Sequence, residues 1–178
     1  MHPAGDERRN VELKATDPAP ERSIAVCRSL GAQDRGLVVQ RDTYFEARHG
    51  RLKLREQTPG SAQLIHYERA SRPRERESRY RIAEIPDAAS LRAALAAALG
   101  IRVVVAKRRR LFLHEHVRIH LDEVEGLGAF LEFEAVAPPG SDLAREYERV
   151  AELRAAFGVT DDRLRAAGYA EQLLARRA

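Results

Sequence analysis

Residues 8–16, "RRNVELKAT", alternate polar and apolar side chains, with Asn10, Glu12 and Lys14 interleaved by Val11, Leu13 and Ala15. A period of two puts successive side chains on opposite faces of an extended chain, so the pattern predicts a strand over 9–15. The same period predicts strands near 37–47, 50–57, 61–70 and 78–85, joined by "RHG", "TPG" and the charged loop "SRPRERE". Three more are expected near 102–114, 116–124 and 129–137, the last two joined by the "EGLG" turn. Helical spacing appears in "PAPERSIAVCRSLG" at 18–31, where Ile24, Cys27 and Leu30 share a face and Gly31 acts as a stop. "PDAASLRAALAAALG" at 86–100 reads as a second helix, with Asp87 as its N-cap and Gly100 beyond its end. From 142 onward the tail is helical, "LAREYERVAELRAAFG" being followed by a shorter helix or two. Neither a repeat nor a low-complexity linker divides the chain, which predicts a single domain over 8–174 with flexible tails at 1–7 and 175–178.

The second phase of each strand is ionic. Arg51, Lys53 and Arg55 oppose Leu52 and Leu54; Arg79 and Arg81 oppose Tyr80 and Ile82; Lys107 and Arg109 share one phase. Arg118, His120 and Asp122 oppose Val117, Ile119 and Leu121, and Glu132 and Glu134 oppose Leu131 and Phe133. An open antiparallel sheet with a solvated ionic side is one architecture that fits. Two features favour closure. Arg recurs at successive positions of one face, where like charges repel unless an anion neutralises them. Carboxylates also cluster on the first and last two strands while cations fill the middle ones, so closing the sheet brings the carboxylates together. Convergent carboxylates facing Arg and Lys suit a polyphosphate, because hard divalent cations bridge carboxylates to phosphate oxygens and the guanidinium fork clamps the same oxygens.

Composition and charge narrow the setting. One third of the 178 residues are charged, yet the net charge is only +4, a weak hint of an anionic partner. Trp is absent and aromatics make up 6%, which argues against the stacking platforms that bind single-stranded nucleic acid. No apolar run approaches the roughly 20 residues that span a bilayer, and "MHPAGDERR" lacks the apolar stretch of a secretory signal. With a single cysteine, the expected compartment is the cytoplasm, without membrane or nucleic-acid partners. Cys27 reads as helix packing and Phe45 as packing, with Tyr44 open between packing and a base pocket. His114, His116 and His120 lack the Cys partners and spacing of a transition-metal site, and His120 is the one on an ionic face. Gly126 and Gly128 read as turn residues.

The segments "NVELKA", "QRDTYF", "GRLKLRE", "KRR" and "VRIHLDEVEGLGAFLEFE", with the late "GYAEQLL", resemble the CYTH superfamily, or triphosphate tunnel metalloenzymes, and within it the class IV adenylyl cyclases. The resemblance implies an α+β fold: an eight-stranded antiparallel β-barrel tunnel with helices packed outside. It implies Mg²⁺ or Mn²⁺ as cofactor and a nucleoside or inorganic triphosphate as substrate, the chain being a monomer or homodimer. By the matching motifs, Glu12, Asp122, Glu132 and Glu134 are implied as metal ligands. Lys14, Arg55, Lys107 and Arg109 are implied as catalytic and substrate-binding, with Lys53, Arg79, Arg81 and Arg118 as further substrate contacts. The family's opening motif is Glu-x-Glu-x-Lys, and Asn10 stands where the first Glu is expected. A Lys is frequent near the position of Glu68, for which Arg69 is a substitute one residue later. The activity implied is cyclisation of ATP to cyclic AMP and pyrophosphate, with hydrolysis of tripolyphosphate or thiamine triphosphate, or binding without turnover, as alternatives.

Overall fold

The computed structural model describes residues 7–177; residues 1–6 and 178, which make up most of the expected tails, lie outside the described residues. Eight strands form one closed antiparallel barrel in the order β1-β5-β4-β3-β2-β6-β7-β8. They are β1 (Arg8–Thr16), β2 (Gln33–Phe45), β3 (Arg51–Thr58), β4 (Ala62–Arg69), β5 (Arg76–Ile85), β6 (Ile101–His114), β7 (Val117–Val124) and β8 (Gly128–Val136). The first strand closes the ring, pairing with β5 through Arg8–Glu12 and with β8 through Asn10–Thr16. Four helices lie outside the sheet: α1 (Pro20–Ser29), α2 (Ala88–Leu99), α3 (Ala144–Ala156) and α4 (Tyr169–Ala175). The expected fold class is therefore the observed one.

Most elements match their predicted positions. Pro20 opens α1, where its missing N–H costs nothing. Asp87 caps α2, its Oδ1 accepting from the Ser90 amide at 3.0 Å. The largest shift is at β2, which starts four residues before the predicted 37. Gly36, at φ +89°, looks like a break in the pattern but sits in a bulge between Asp34 and Leu37, so the strand bends and continues.

The apolar phase of β1, β7 and β8 points outward and forms the main core. Val11, Leu13, Ile119, Leu131 and Phe133 are fully buried there beneath Cys27 of α1, Val150 and Leu153 of α3, and Phe157. The Phe133 and Phe157 rings meet at 5.1 Å. Each such side chain contributes about 1.5–3 kcal/mol by leaving water, which is what fixes the phase of these strands. Burial pushes the Cys27 thiol up to about 12, as suits a packing residue. In contrast, α2 contains no buried residue and only leans on β2 and β3. No helix among the described residues is long and apolar enough to cross a membrane.

Candidate active site

The inward phase of the strands encloses a cavity of about 350 Å³ running along the barrel. The start of α4 stands across one end: Tyr169 packs with Tyr44, Val103, Val124 and Phe130, and its hydroxyl donates to Asp122 Oδ2 at 2.9 Å. Further ties hold this helix there, including Arg51 to Glu171 and Arg176 to the Gly126 carbonyl. From this closed end, the inward residues run Lys14, Glu12, Asn10 along β1 and Glu132, Glu134 along β8. Those of β2 run Tyr44, Asp42, Gln40, Val38, and those of β3 Lys53, Arg55, Gln57. On β4 they are Arg69, Tyr67, Ile65, Gln63, on β5 Ser78, Tyr80, Ile82, and on β6 Lys107, Arg109, Leu111.

Charge concentrates toward the closed end, in two ion-pair groups. On one side, Asp122 accepts two bonds of 2.6 Å from Arg109 and one of 3.2 Å from Lys107. On the other, Asp42 accepts two of 2.8 Å from Arg55 and one of 2.8 Å from Lys53. Burial disfavours the ionised form of each carboxylate, but the adjacent guanidinium and ammonium outweigh it and hold both below the usual range. The lysines carry the opposite consequence of burial. Burial and the nearby Arg109 push Lys107 down to about 7, and burial and Arg55 push Lys53 down to about 8. Lys14 bonds Glu132 at 2.8 Å and lies 3.8 Å from the centre of the Tyr169 ring.

The sequence-predicted residues divide when located in the barrel. Lys14, Lys53, Arg55, Lys107, Arg109 and Arg118 line the cavity with Glu12, Glu132 and Glu134. Arg79 and Arg81 do not. Their side chains are 55% and 54% exposed on the outer face, paired with Glu7 and, for Arg79, Glu77. The reason is phase: β5 turns Ser78, Tyr80 and Ile82 inward, against the rule that its apolar residues face out. Asp122, implied as a metal ligand, has its oxygens paired with Arg109, Lys107 and Tyr169, and its side chain is fully buried. Glu12 Oε1 is also occupied, by Arg69 at 2.8 Å and Arg76 at 3.1 Å.

Among the described residues, no three His, Cys, Asp or Glu side chains converge as a metal-ligating group. Glu132 and Glu134 stand beside Asn10, and because Glu132 Oε2 already accepts from Lys14 at 2.8 Å and from Arg109 at 3.2 Å, a cation held there would take the place of these contacts. Asn10 donates its Nδ2 to Glu134 Oε1 at 2.7 Å, and its Oδ1 is a buried acceptor with no partner. Two carboxylates and an amide oxygen fit a hard divalent ion that keeps part of its water shell and shares phosphate oxygens. His120 lies between the pair, with Nδ1 3.8 Å from Glu132 and Nε2 3.7 Å from Glu134. Burial and Arg109 lower its pKa, so it is neutral at pH 7.

Several contributing residues escaped the sequence reading. Asp42 alternates with Gln40 and Tyr44 in "QRDTYF", so strand parity could have found it; the expectation of carboxylates only at the ends of the sheet hid it. Arg76 lies in a stretch that reads as a solvated charged loop. It is 1% exposed, and its Nη1 donates to the Arg72, Arg165 and Ala166 carbonyls. Tyr169 had no local signal beyond a short helix, whereas Arg69, named as the substitute for a Lys near Glu68, faces the cavity.

A family model for the CYTH domain matches residues 8–161. Among solved structures, the chain is similar to the PH1012 protein of Pyrococcus horikoshii, at 22% identity and a TM-score of 0.79, covering 91% of this chain and 98% of that one. It is similar to a Vibrio parahaemolyticus protein provisionally named an adenylate cyclase, at 20% identity and a TM-score of 0.75, over 93% and 97% of the two chains. It is also similar to a Hippeastrum protein provisionally named an adenylyl cyclase, whose dominant activity is that of a triphosphatase. There the identity is 13% and the TM-score 0.63, over 96% and 95% of the chains. These likenesses are of fold. No protein of curated function matches the chain.

Proposed function

The chain belongs to the CYTH family, a family of divalent-metal enzymes whose tunnel binds triphosphates, and from that premise we propose that it cyclises ATP to cyclic AMP and pyrophosphate. The observation that carries this reading is charge balance. Seven cationic side chains and four carboxylates line the cavity, an excess of three positive charges in a space of about 350 Å³. A nucleoside triphosphate with one divalent ion brings a comparable negative charge.

In this reading Lys14, Lys53, Arg55, Lys107 and Arg109 bind the phosphate oxygens, and Asp42 and Asp122 hold four of those cations in register. Arg69 and Arg118 extend the field along the wall. Glu132, Glu134 and the Asn10 amide oxygen hold the divalent ion. When bound, that ion spreads the charge that develops on the phosphate oxygens. The 3′-oxygen forms a bond to the α-phosphorus, the bond from that phosphorus to the bridging oxygen of the β-phosphate breaks, and the hydroxyl proton passes to water. Catalysis then consists of in-line positioning and electrostatic stabilisation, with no covalent role for the chain.

Hydrolysis is the second reading, with water attacking the terminal phosphorus and orthophosphate leaving. The crowding of cations at the closed end favours it, since a triphosphate drawn there presents its terminal group to Lys14 and Lys107. Purified protein incubated with ATP, thiamine triphosphate and inorganic tripolyphosphate in Mg²⁺ or Mn²⁺ separates the outcomes. Cyclic AMP with pyrophosphate supports the first reading and orthophosphate the second. Tight binding without turnover overturns both.

A further inference from the structure

The backbone at Gly168, directly before α4, does not call for a glycine: φ −73° and ψ 173° are extended values that any residue adopts. Room is what calls for it. A Cβ there would stand 2.5 Å from Arg69 Nη2 and 2.5 Å from Glu171 Oε2, closer than a carbon atom approaches either. The guanidinium of Arg69 therefore takes up the space that a side chain at 168 would need. Its other sides are fixed as well. Nη1 donates to Glu12 Oε1 at 2.8 Å, and the centre of the Tyr67 ring lies 5.8 Å from the guanidinium carbon. Glu12 is itself held, since the same oxygen accepts from Arg76 Nε at 3.1 Å and Arg76 is anchored by three backbone carbonyls. Arg69 is the last inward residue of β4, at the closed end of the cavity, with 5% of its side chain exposed.

We propose that Gly168 is a positioning residue: by lacking a side chain it seats the Arg69 guanidinium between Glu12 and the start of α4, aimed at the phosphates of a bound triphosphate. Glu12 takes one N–H of a group that carries several, so the rest of the fork serves phosphate oxygens. A displaced guanidinium keeps its charge and loses its direction, and paired contacts to phosphate depend on direction. The seat also makes α4 part of the binding wall, because the helix across one end of the barrel sets the angle of a cation inside it. The inference rests on the triphosphate reading above and adds to it a residue that acts through another.

Titration calorimetry of the full chain with inorganic tripolyphosphate and Mg²⁺ tests it through a double-mutant cycle. Gly168→Ala weakens tripolyphosphate about tenfold, as the loss of one well-placed charged hydrogen bond does. Arg69→Lys weakens it by a similar factor. In that background Gly168→Ala costs less than about twofold, because a lysine lacks the Nη2 atom that the new methyl group displaces. A merely structural role would show no such dependence on residue 69. Two further readouts separate the fold and the ion site from the seat: in Gly168→Ala the melting temperature falls by only a few degrees, and Mn²⁺ affinity without substrate stays within about twofold. The assignment is overturned if Gly168→Ala leaves tripolyphosphate affinity unchanged, if Mn²⁺ affinity falls alongside, or if the cost is the same in the Arg69→Lys background, which would put the effect on Glu171. If the wild type does not bind tripolyphosphate, the triphosphate reading itself fails and takes this one with it.

Discussion

The barrel has a thick wall and a thin one. β1, β7 and β8 are backed by α1, α3 and the Phe157–Leu164 segment, and they carry Asn10, Glu12, Glu132 and Glu134 on their inner face. β3, β4 and β5 have no such backing: α2, which contains no buried residue, leans on β3 and β2, and α4 touches this side at Arg51 and Tyr67, yet these strands carry Lys53, Arg55 and Arg69. In the proposed reading, the groups that hold the divalent ion, Asn10, Glu132 and Glu134, thus stand on the better-packed side. Three of the phosphate-binding cations of that reading, Lys53, Arg55 and Arg69, stand on the other, where Coulomb attraction tolerates small displacements in a way that metal ligation does not, while Lys14 and Arg118 share the thick wall.

The largest expected difference between the walls is in stability. Phe133→Ala, under α3, should cost about 3–5 kcal/mol, whereas Leu95→Ala on α2 should cost less than about 1 kcal/mol, since that side chain is only part-buried. Denaturant unfolding measures both, and equal losses would erase the contrast. Next in size is Glu132→Ala, expected to reduce turnover about a hundredfold and to weaken Mn²⁺ binding in the absence of substrate. Unchanged metal affinity would remove Glu132 from the metal site.

Lys107 supplies a pH signature. It is neutral above about 7, so triphosphate affinity should gain less from pH 6 to 8 in the wild type than in Lys107→Arg, whose charge persists. The stability sign is opposite to that of an ordinary ion pair. The unfolded chain holds this proton up to about 10.4 and the folded chain only to about 7, so this group makes folding more favourable as pH rises between those values. Asn10→Asp is a smaller effect. It sets a carboxylate against Glu134, so the melting temperature should fall by a few degrees in chelator, and Mn²⁺ should raise it more than in the wild type. Smallest of all, Arg79→Ala and Arg81→Ala should alter turnover less than twofold, because both side chains lie on the outer surface.

Alternation made much of this architecture legible in the sequence. Val11, Leu13, Leu131 and Phe133 belong to one large core, so hydrophobicity alone reports their direction. The same rule fails at β5, where Tyr80 and Ile82 line the cavity and the alternating Arg79 and Arg81 face solvent. A strand whose two faces are both acceptable to their surroundings carries no phase information in its hydrophobic pattern. The position of Arg76 was hidden for a different reason, since its guanidinium donates to Glu12 and to carbonyls of residues 165 and 166, all far along the chain. Charge pairing of that kind depends on tertiary contact and leaves no local trace. Asn10 could be read as a departure from its motif, but its unpartnered oxygen beside Glu134 became visible only in three dimensions.

The helix set across one end of the cavity governs traffic. With Tyr169, Glu171 and Arg176 anchoring α4, the barrel is a cul-de-sac, and whatever goes in first comes out last. Under the cyclase reading the pyrophosphate forms at the blind end and the cyclic nucleotide forms nearer the opening, so the nucleotide departs ahead of it. Pyrophosphate should then compete directly with ATP for the vacant enzyme.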